Sequence, residues 1–449
     1  MKQFREWMQR YGHWLLIAAV LVFSLWLRYD YIVDIEVKPV SDMEDYDQRA
    51  LRLVNEGTFQ TGELHGSTYR PPGYVVFLAA IYGLIDHKYR LVYAIQSVLS
   101  VASLYAIYWI GQQLWNRRVG VTALVLSALY VPFIGYSGVL LSETLFNFLF
   151  LFAVAVFLRG VQTESGWWYA ASGVLFGLST LTRSIALVVP PILVVWLLLE
   201  KKVWPWKYGK EAWIRFVLLF AAMAVVIAPW TIRNYVEQKS FVLVDTISGL
   251  NLLIGNNEYA DGFYRDTLFS TKGFKRAFRE GKTDAVRDQI MKDEAKKWIV
   301  AHPERFAELT WDRFQMYLAA QKDWVDDLYK FENIELLEDD KQEAAFSEWF
   351  QRYATALALV AVVAAFVQAV VRRNARALLP TFVAGYFIAA LSVFYVQMRY
   401  KFPAMPFVML LCAFALWQMR SNWKALVWMA PATYAVAQWL LDLAVKYDV

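Results

Sequence analysis

The chain has 449 residues and a net charge of +5; 58% of its residues are hydrophobic and 17% aromatic. That is more apolar surface than a water-soluble globule buries, so soluble, disordered and fibrous classes are excluded. One cysteine, Cys412, leaves no intramolecular disulfide, and His13, His65, His87 and His302 show no zinc-ligand spacing.

Apolar runs of spanning length fall at 14–31, 91–114, 119–137, 141–158, 167–182, 184–199, 212–230, 353–371, 377–395, 402–419 and 425–443. A span needs ~20 residues, so these predict about 11 transmembrane helices in an all-α polytopic membrane protein. The first follows a basic leader without a small-residue cleavage site and is expected to stay as an anchor.

After the first run, Asp42, Tyr46, Ala50, Leu53 and Gly57 are spaced by 4, 4, 3 and 4, which puts them on one helix face. Asp42 falls at the N-terminus of that helix, where the dipole keeps a carboxylate ionised. Two readings stay open for it: a general base, or an N-cap aspartate on a solvated acidic helix beside Glu44, Asp45 and Asp47. Asp45 and Asp47 are expected to point away from the Tyr46 face. Next, Tyr69-Arg70-Pro71-Pro72-Gly73-Tyr74 holds Arg70 at headgroup level, where a guanidinium grips a phosphate in bidentate fashion or simply snorkels. Gly73 to Ile85 is too short to span and is predicted to lie along the outer interface as a juxtamembrane helix.

Glu143 stands at the mouth of an apolar helix, a costly position for an unpaired acid. Arg183, Arg233 and Arg399 recur at helix ends in LTRS, PWTIRNY and MRYKFPAMP. With Glu143 and Arg70 they face one side, provided the basic clusters at 117–118, 201–210 and 372–376 are cytoplasmic with the N-terminus. Residues 30–72 and 233–349 are then acidic external segments. The second carries helical patterns near 283–300 and 303–320, the latter started by Pro303. Gly255-Asn256-Asn257 is too short for a phosphate loop and reads as a turn.

The run D-x3-Y-x3-A, then RPPGY, LLSETLF, APWTIRNY and SGLNLLIGNNEYADG, resembles the GT-C membrane glycosyltransferases. These include protein O-mannosyltransferases and the bacterial transferase that puts aminoarabinose on lipid A. The resemblance implies a GT-C fold with a helical extracytoplasmic loop domain and inverting transfer of a sugar from a polyprenyl-phosphate donor. Asp42 matches the family's catalytic aspartate, Glu143 the acid of its second external loop, and Arg70 the basic residue that holds the donor phosphate. Met43 stands where many relatives carry a second acid, so Glu44 or Asp45 is the alternative to having none.

The expected organisation is an N-terminal catalytic module at 1–232 with its first external loop at 30–90, a large external loop at 233–349, and C-terminal helices at 350–449. The expected enzyme transfers sugar to a lipid, glycan or protein hydroxyl at the outer face of a bacterial plasma membrane, without nucleic acid. Arg399 and Arg183 join Arg70 as donor-phosphate candidates, and Tyr46, Tyr74, Arg233, Asn256 and Asn257 are substrate-binding candidates. The residues point to no certain cofactor, and a divalent ion held between two acids and a phosphate stays open. A lipid-linked polysaccharide polymerase or ligase is the rival enzyme. A flippase for a charged lipid would need paired broken helices and acids near mid-membrane.

Overall fold

The computed structural model describes residues 2–34, 39–61, 66–201, 209–319, 375–419 and 423–447, with scattered positions between 352 and 366. Every regular segment among them is helical. The first is α1 (Lys2–Asp34), followed by α2 (Asp42–Glu56), α3 (Pro72–Leu84), α4 (Tyr89–Leu114), α5 (Arg117–Ala128), α6 (Pro132–Gly135), α7 (Glu143–Thr163), α8 (Gly166–Thr182), α9 (Val189–Lys201) and α10 (Lys210–Gln238). Then come α11 (Ser248–Gly255), α12 (Lys272–Glu280), α13 (Asp284–Ala301), α14 (Pro303–Ala319), α15 (Leu378–Ser392), α16 (Met405–Met419) and α17 (Trp423–Tyr447).

The chain is an integral membrane protein, with five helices among the described residues long and apolar enough to span, or six if one bent pair counts as a span. The expected count of 11 is thus not shown among the described residues, for reasons visible in the chain. The run at 119–137 breaks into α5 and the 132–138 segment at a 71° bend, where Pro132 cannot continue the preceding helix and starts a new one. The run at 184–199 opens with a 3-10 turn after the extended Arg183, and Pro190 and Pro191 then start α9. Helix α16 has 15 residues, short of a full crossing, and α8 has 17, at the lower limit of spanning length. Most of the run at 353–371 lies outside the described residues.

The 13 residues of α3 form the short helix expected after the paired prolines. Helices α4, α7, α8 and α10 pack in succession, and α5 pairs with α4 and α16. Close helix approach needs small residues. At Gly173 of α8 a Cβ would stand 2.1 Å from the Leu219 carbonyl oxygen of α10, so this crossing tolerates no side chain.

The segment after α10 has a second apolar core. Leu253, Ile254, Leu268, Ala277, Met291, Ala295 and Tyr317 bury against Leu391, Tyr395 and Tyr400, which follow from the C-terminal helices. The helical patterns expected near 283–300 and 303–320 are α13 and α14. Helix α11 ends directly on the chain leaving α15: a Cβ on Gly255 would lie 1.8 Å from the Phe394 carbonyl oxygen.

Candidate active site

Asp42 is the first residue of α2, after Ser41, whose φ of 51° turns the chain into the helix without a side-chain cap. The capping alternative for Asp42 is thereby set aside, because its oxygens face guanidiniums. Oδ1 accepts from Arg70 Nη2 at 2.5 Å, and Oδ2 pairs with Arg399. Asp45, one turn along, pairs with Arg70 Nε through Oδ2 and accepts from Arg49 Nε at 3.0 Å through Oδ1. Glu143 opens α7 and is 1% exposed. Its Oε1 accepts from Arg183 Nη1 at 2.5 Å and stands 3.9 Å from Arg399 Nε.

Three acids and three arginines thus alternate in one ladder: Asp45, Arg70, Asp42, Arg399, Glu143, Arg183. Their order explains the burial. Each guanidinium lies beside a carboxylate, which offsets the cost of removing both from water. Burial pushes the Asp42 carboxyl up, but Arg399 and Arg70 together outweigh it and hold the group well below the usual carboxylate range.

The ladder rests on aromatic rings. The Arg70 guanidinium sits 4.6 Å over Tyr46 and 5.4 Å from Tyr69, and Arg399 and Arg183 flank Tyr400 at 5.7 and 5.8 Å. Tyr46 donates to Ser142 Oγ at 3.5 Å, and the same oxygen accepts from Arg183 at 3.3 Å. The extended Pro71 and the N-terminus of α3 bring Arg70 to this point, so the RPPGY motif works as a bracket for one guanidinium.

Asp42, Asp45, Arg70, Arg183 and Arg399 line a cavity of about 1170 Å³ whose walls also include Ile185, Leu187, Val188, Leu391, Asp245, Asn251, Phe274, Phe278 and Arg287, whereas Glu143 lies behind the lining. A charged cluster in a cleft that also has apolar walls at Ile185, Leu187, Val188 and Leu391 suits a ligand with a charged head and an apolar body. Asp245 is a titratable group that sequence reasoning missed. Burial raises it to about 6, with hydrogen bonds from Ser184 and the Ile247 N–H opposing the shift. Nothing in VLVDTIS distinguishes it locally; only the fold turns it to the cavity.

The other candidates take the following places. Asp45 and Asp47, expected to point away from the Tyr46 face, are both engaged by partners. Asp45 belongs to the ladder, and Asp47 is buried, accepting from Tyr82 at 2.7 Å and Tyr89 at 3.0 Å with His87 at 3.1 Å. Tyr74 is fully buried beneath Tyr46 and donates to Gln96 at 2.8 Å, so it supports the cavity wall without lining it. Arg233 is paired with Glu237 at 2.7 Å and stacked 4.6 Å over Trp230, away from the cavity lining. Asn256 donates to the Leu252 and Val393 carbonyls, and Asn257 to those of Leu253 and Ile254; both finish α11 and neither lines the cavity. Among the described residues no three His, Cys, Asp or Glu side chains gather as a metal site. In the ladder the carboxylates are separated by guanidiniums, which repel a cation, so a divalent ion does not fit there.

The model of the dolichyl-phosphate-mannose-protein mannosyltransferase family matches residues 69–231. That stretch starts at Tyr69, beside Arg70, and includes Glu143 and Arg183. No curated protein matches the chain by sequence. Among solved structures, the oligosaccharyltransferase of Archaeoglobus fulgidus tethered to an acceptor peptide containing the NVT sequon superposes with a TM-score of 0.55 at 12% identity, covering 98% of this chain and 54% of that one. The same archaeal enzyme, AglB, in complex with an inhibitory peptide and a dolichol-phosphate gives 0.53 at 14% identity, covering 98% and 55%. These likenesses show a shared fold, and the chain spans about half the length of the enzyme it superposes on.

Proposed function

We propose that the chain, whose residues 69–231 match the model of the dolichyl-phosphate-mannose-protein mannosyltransferase family, is a membrane glycosyltransferase. It moves a sugar from a polyprenyl-phosphate donor to an acceptor hydroxyl at the outer face of the membrane. The observation that carries the proposal is the ladder in which Arg70, Arg399 and Arg183 stand around Asp42 and the buried Glu143, with the three arginines and Asp42 facing a cavity that has both apolar and polar walls.

The chemistry follows from the charges. The acceptor oxygen attacks the anomeric carbon, its proton passes to Asp42, and the bond from that carbon to the phosphate oxygen breaks with its electron pair on the phosphate. Attack opposite the leaving group inverts the anomeric centre. Arg70, Arg399 and Arg183 stabilise the departing phosphate. With both carboxylate oxygens held by arginines, Asp42 is a weak base in the donor-free site. A donor phosphate competes for the same guanidiniums. When it draws Arg399 aside, Asp42 loses one of its two stabilising charges and becomes more basic as the substrate arrives.

The test uses the purified chain in lipid nanodiscs with a panel of polyprenyl-phosphate sugars and a cell-envelope extract as acceptor. Release of polyprenyl phosphate together with a mass gain of one sugar on an acceptor is the expected result. Products longer by repeating units would identify a polymerase instead. A panel in which no donor is consumed, with donor moved between leaflets, would reject transfer in favour of a flippase.

A further inference from the structure

Arg399 is the only ladder member from the C-terminal part of the chain, and its place depends on helices far from it in sequence. It lies in the 393–404 stretch between α15 and α16. Helix α14 holds this stretch on both sides of Arg399. Fully buried Arg313 donates to the Ser392 carbonyl at 3.4 Å and the Val393 carbonyl at 3.1 Å, as well as to the Gly255 carbonyl. These oxygens end α15 and α11, where helical carbonyls lack internal partners, so one guanidinium staples two helix C-termini together. One turn further along α14, Tyr317 donates to the Tyr400 carbonyl at 2.6 Å, directly after Arg399. Between the two anchors, the Val396 N–H donates to the Gly262 carbonyl at 2.8 Å, and Phe263 bridges to Val396. Tyr395 and Tyr400 join their hydroxyls at 2.9 Å.

The backbone around Arg399 is therefore set from α14, while its guanidinium reaches into the ladder. We propose that Arg313 and Tyr317 are positioning residues that fix the reach of Arg399 toward Asp42 and toward the phosphate of an incoming polyprenyl-phosphate ligand. The inference rests on Arg399 gripping that phosphate, as read above. It gives α14 a defined task at the site, although no residue of α14 lines the cavity.

The test is a double-mutant cycle on the binding of undecaprenyl phosphate to the purified full chain in nanodiscs. Tyr317→Phe removes one hydroxyl and keeps the ring. The net worth of one hydrogen bond converts to a weakening of about three- to tenfold. The same change made in Arg399→Ala should weaken binding no further, because Tyr317 acts through Arg399. Arg313→Lys keeps a charge but loses the fork that spans two helix ends; it should behave in the same way, and thermal unfolding selects the folded fraction. Unchanged affinity in Tyr317→Phe would overturn the inference. So would an equal loss in both backgrounds, which marks a general structural role. Either result alongside weakened binding in Arg399→Ala leaves the phosphate reading standing, whereas full affinity in Arg399→Ala removes that reading and the inference with it.

Discussion

Replacing Asp42 with Asn tests the ladder and the proposed chemistry together. The amide keeps the shape and can accept from one arginine, but turns a donor toward the other and removes the charge between Arg70 and Arg399. Hydrogen bonds to charged groups are worth about 1.5–3 kcal/mol each. The Asp42 side chain is 27% exposed, so solvent screening reduces the folding loss to about 1–3 kcal/mol. That leaves most of the protein folded if its stability is typical. Loss of a general base costs ~10²–10⁴ in rate, or about 3–5 kcal/mol of barrier. Asp42→Asn also leaves two arginines less neutralised, so undecaprenyl phosphate should bind at least as tightly as to the wild type. The assay pairs turnover at saturating donor, normalised to folded protein, with ligand affinity. The expected pattern is retained or tighter binding with transfer reduced at least about a hundredfold. Near-normal turnover would remove Asp42 as the base. Parallel loss of binding and turnover would mean that its role is to hold the arginines in place.

At Arg70, Lys should keep partial donor affinity as a point charge and Ala should lose about tenfold more, measured with donor varied; equal kinetics for Ala and wild type would move the phosphate site toward Arg399. Glu143→Gln leaves the Arg183 guanidinium without its buried counter-charge and should destabilise by about 3 kcal/mol, seen as a lower Tm in detergent; an unchanged Tm would refute the pairing. The Asp245 carboxyl is raised to about 6 in the folded chain from an ordinary 3.8. Its protonated form therefore adds stability that is complete below the lower value and lost as pH climbs through the higher one. Asp245→Asn should unfold at a higher temperature than the wild type near neutral pH, with the gap closing below about pH 4; a pH-independent gap would contradict that account. For orientation, in a Cys412→Ala background Ser67→Cys should react with an impermeant thiol reagent in intact cells and Gly209→Cys should not; the reverse pattern would invert the topology.

Local pattern was enough for the helices that present the site. The spacing of Asp42, Tyr46, Ala50, Leu53 and Gly57 sets the phase and end of α2, where Gly57 adopts the left-handed cap. The paired prolines before Gly73 start α3, and Pro303 starts α14. Such signals lie within a few residues of their effect, because capping, turn chemistry and helical periodicity are local. Charge at the mouths of apolar runs also singled out Arg70, Glu143, Arg183 and Arg399, since burying an unpaired ion is costly wherever it occurs. Which of these ions pair was decided by tertiary structure. Asp42 meets Arg399 from the opposite end of the chain, and Asp45 joins the ladder because α2 packs against α3. Tyr82 of α3 and Tyr89 of α4 bury Asp47, so the solvated face that is one of two open readings for this acidic run does not hold for it. Asn256 and Asn257 close a helix end, while unremarkable Asp245 faces the cavity. Periodicity assigns a residue to a face; what that face meets depends on helices brought together by burial, which no local window contains.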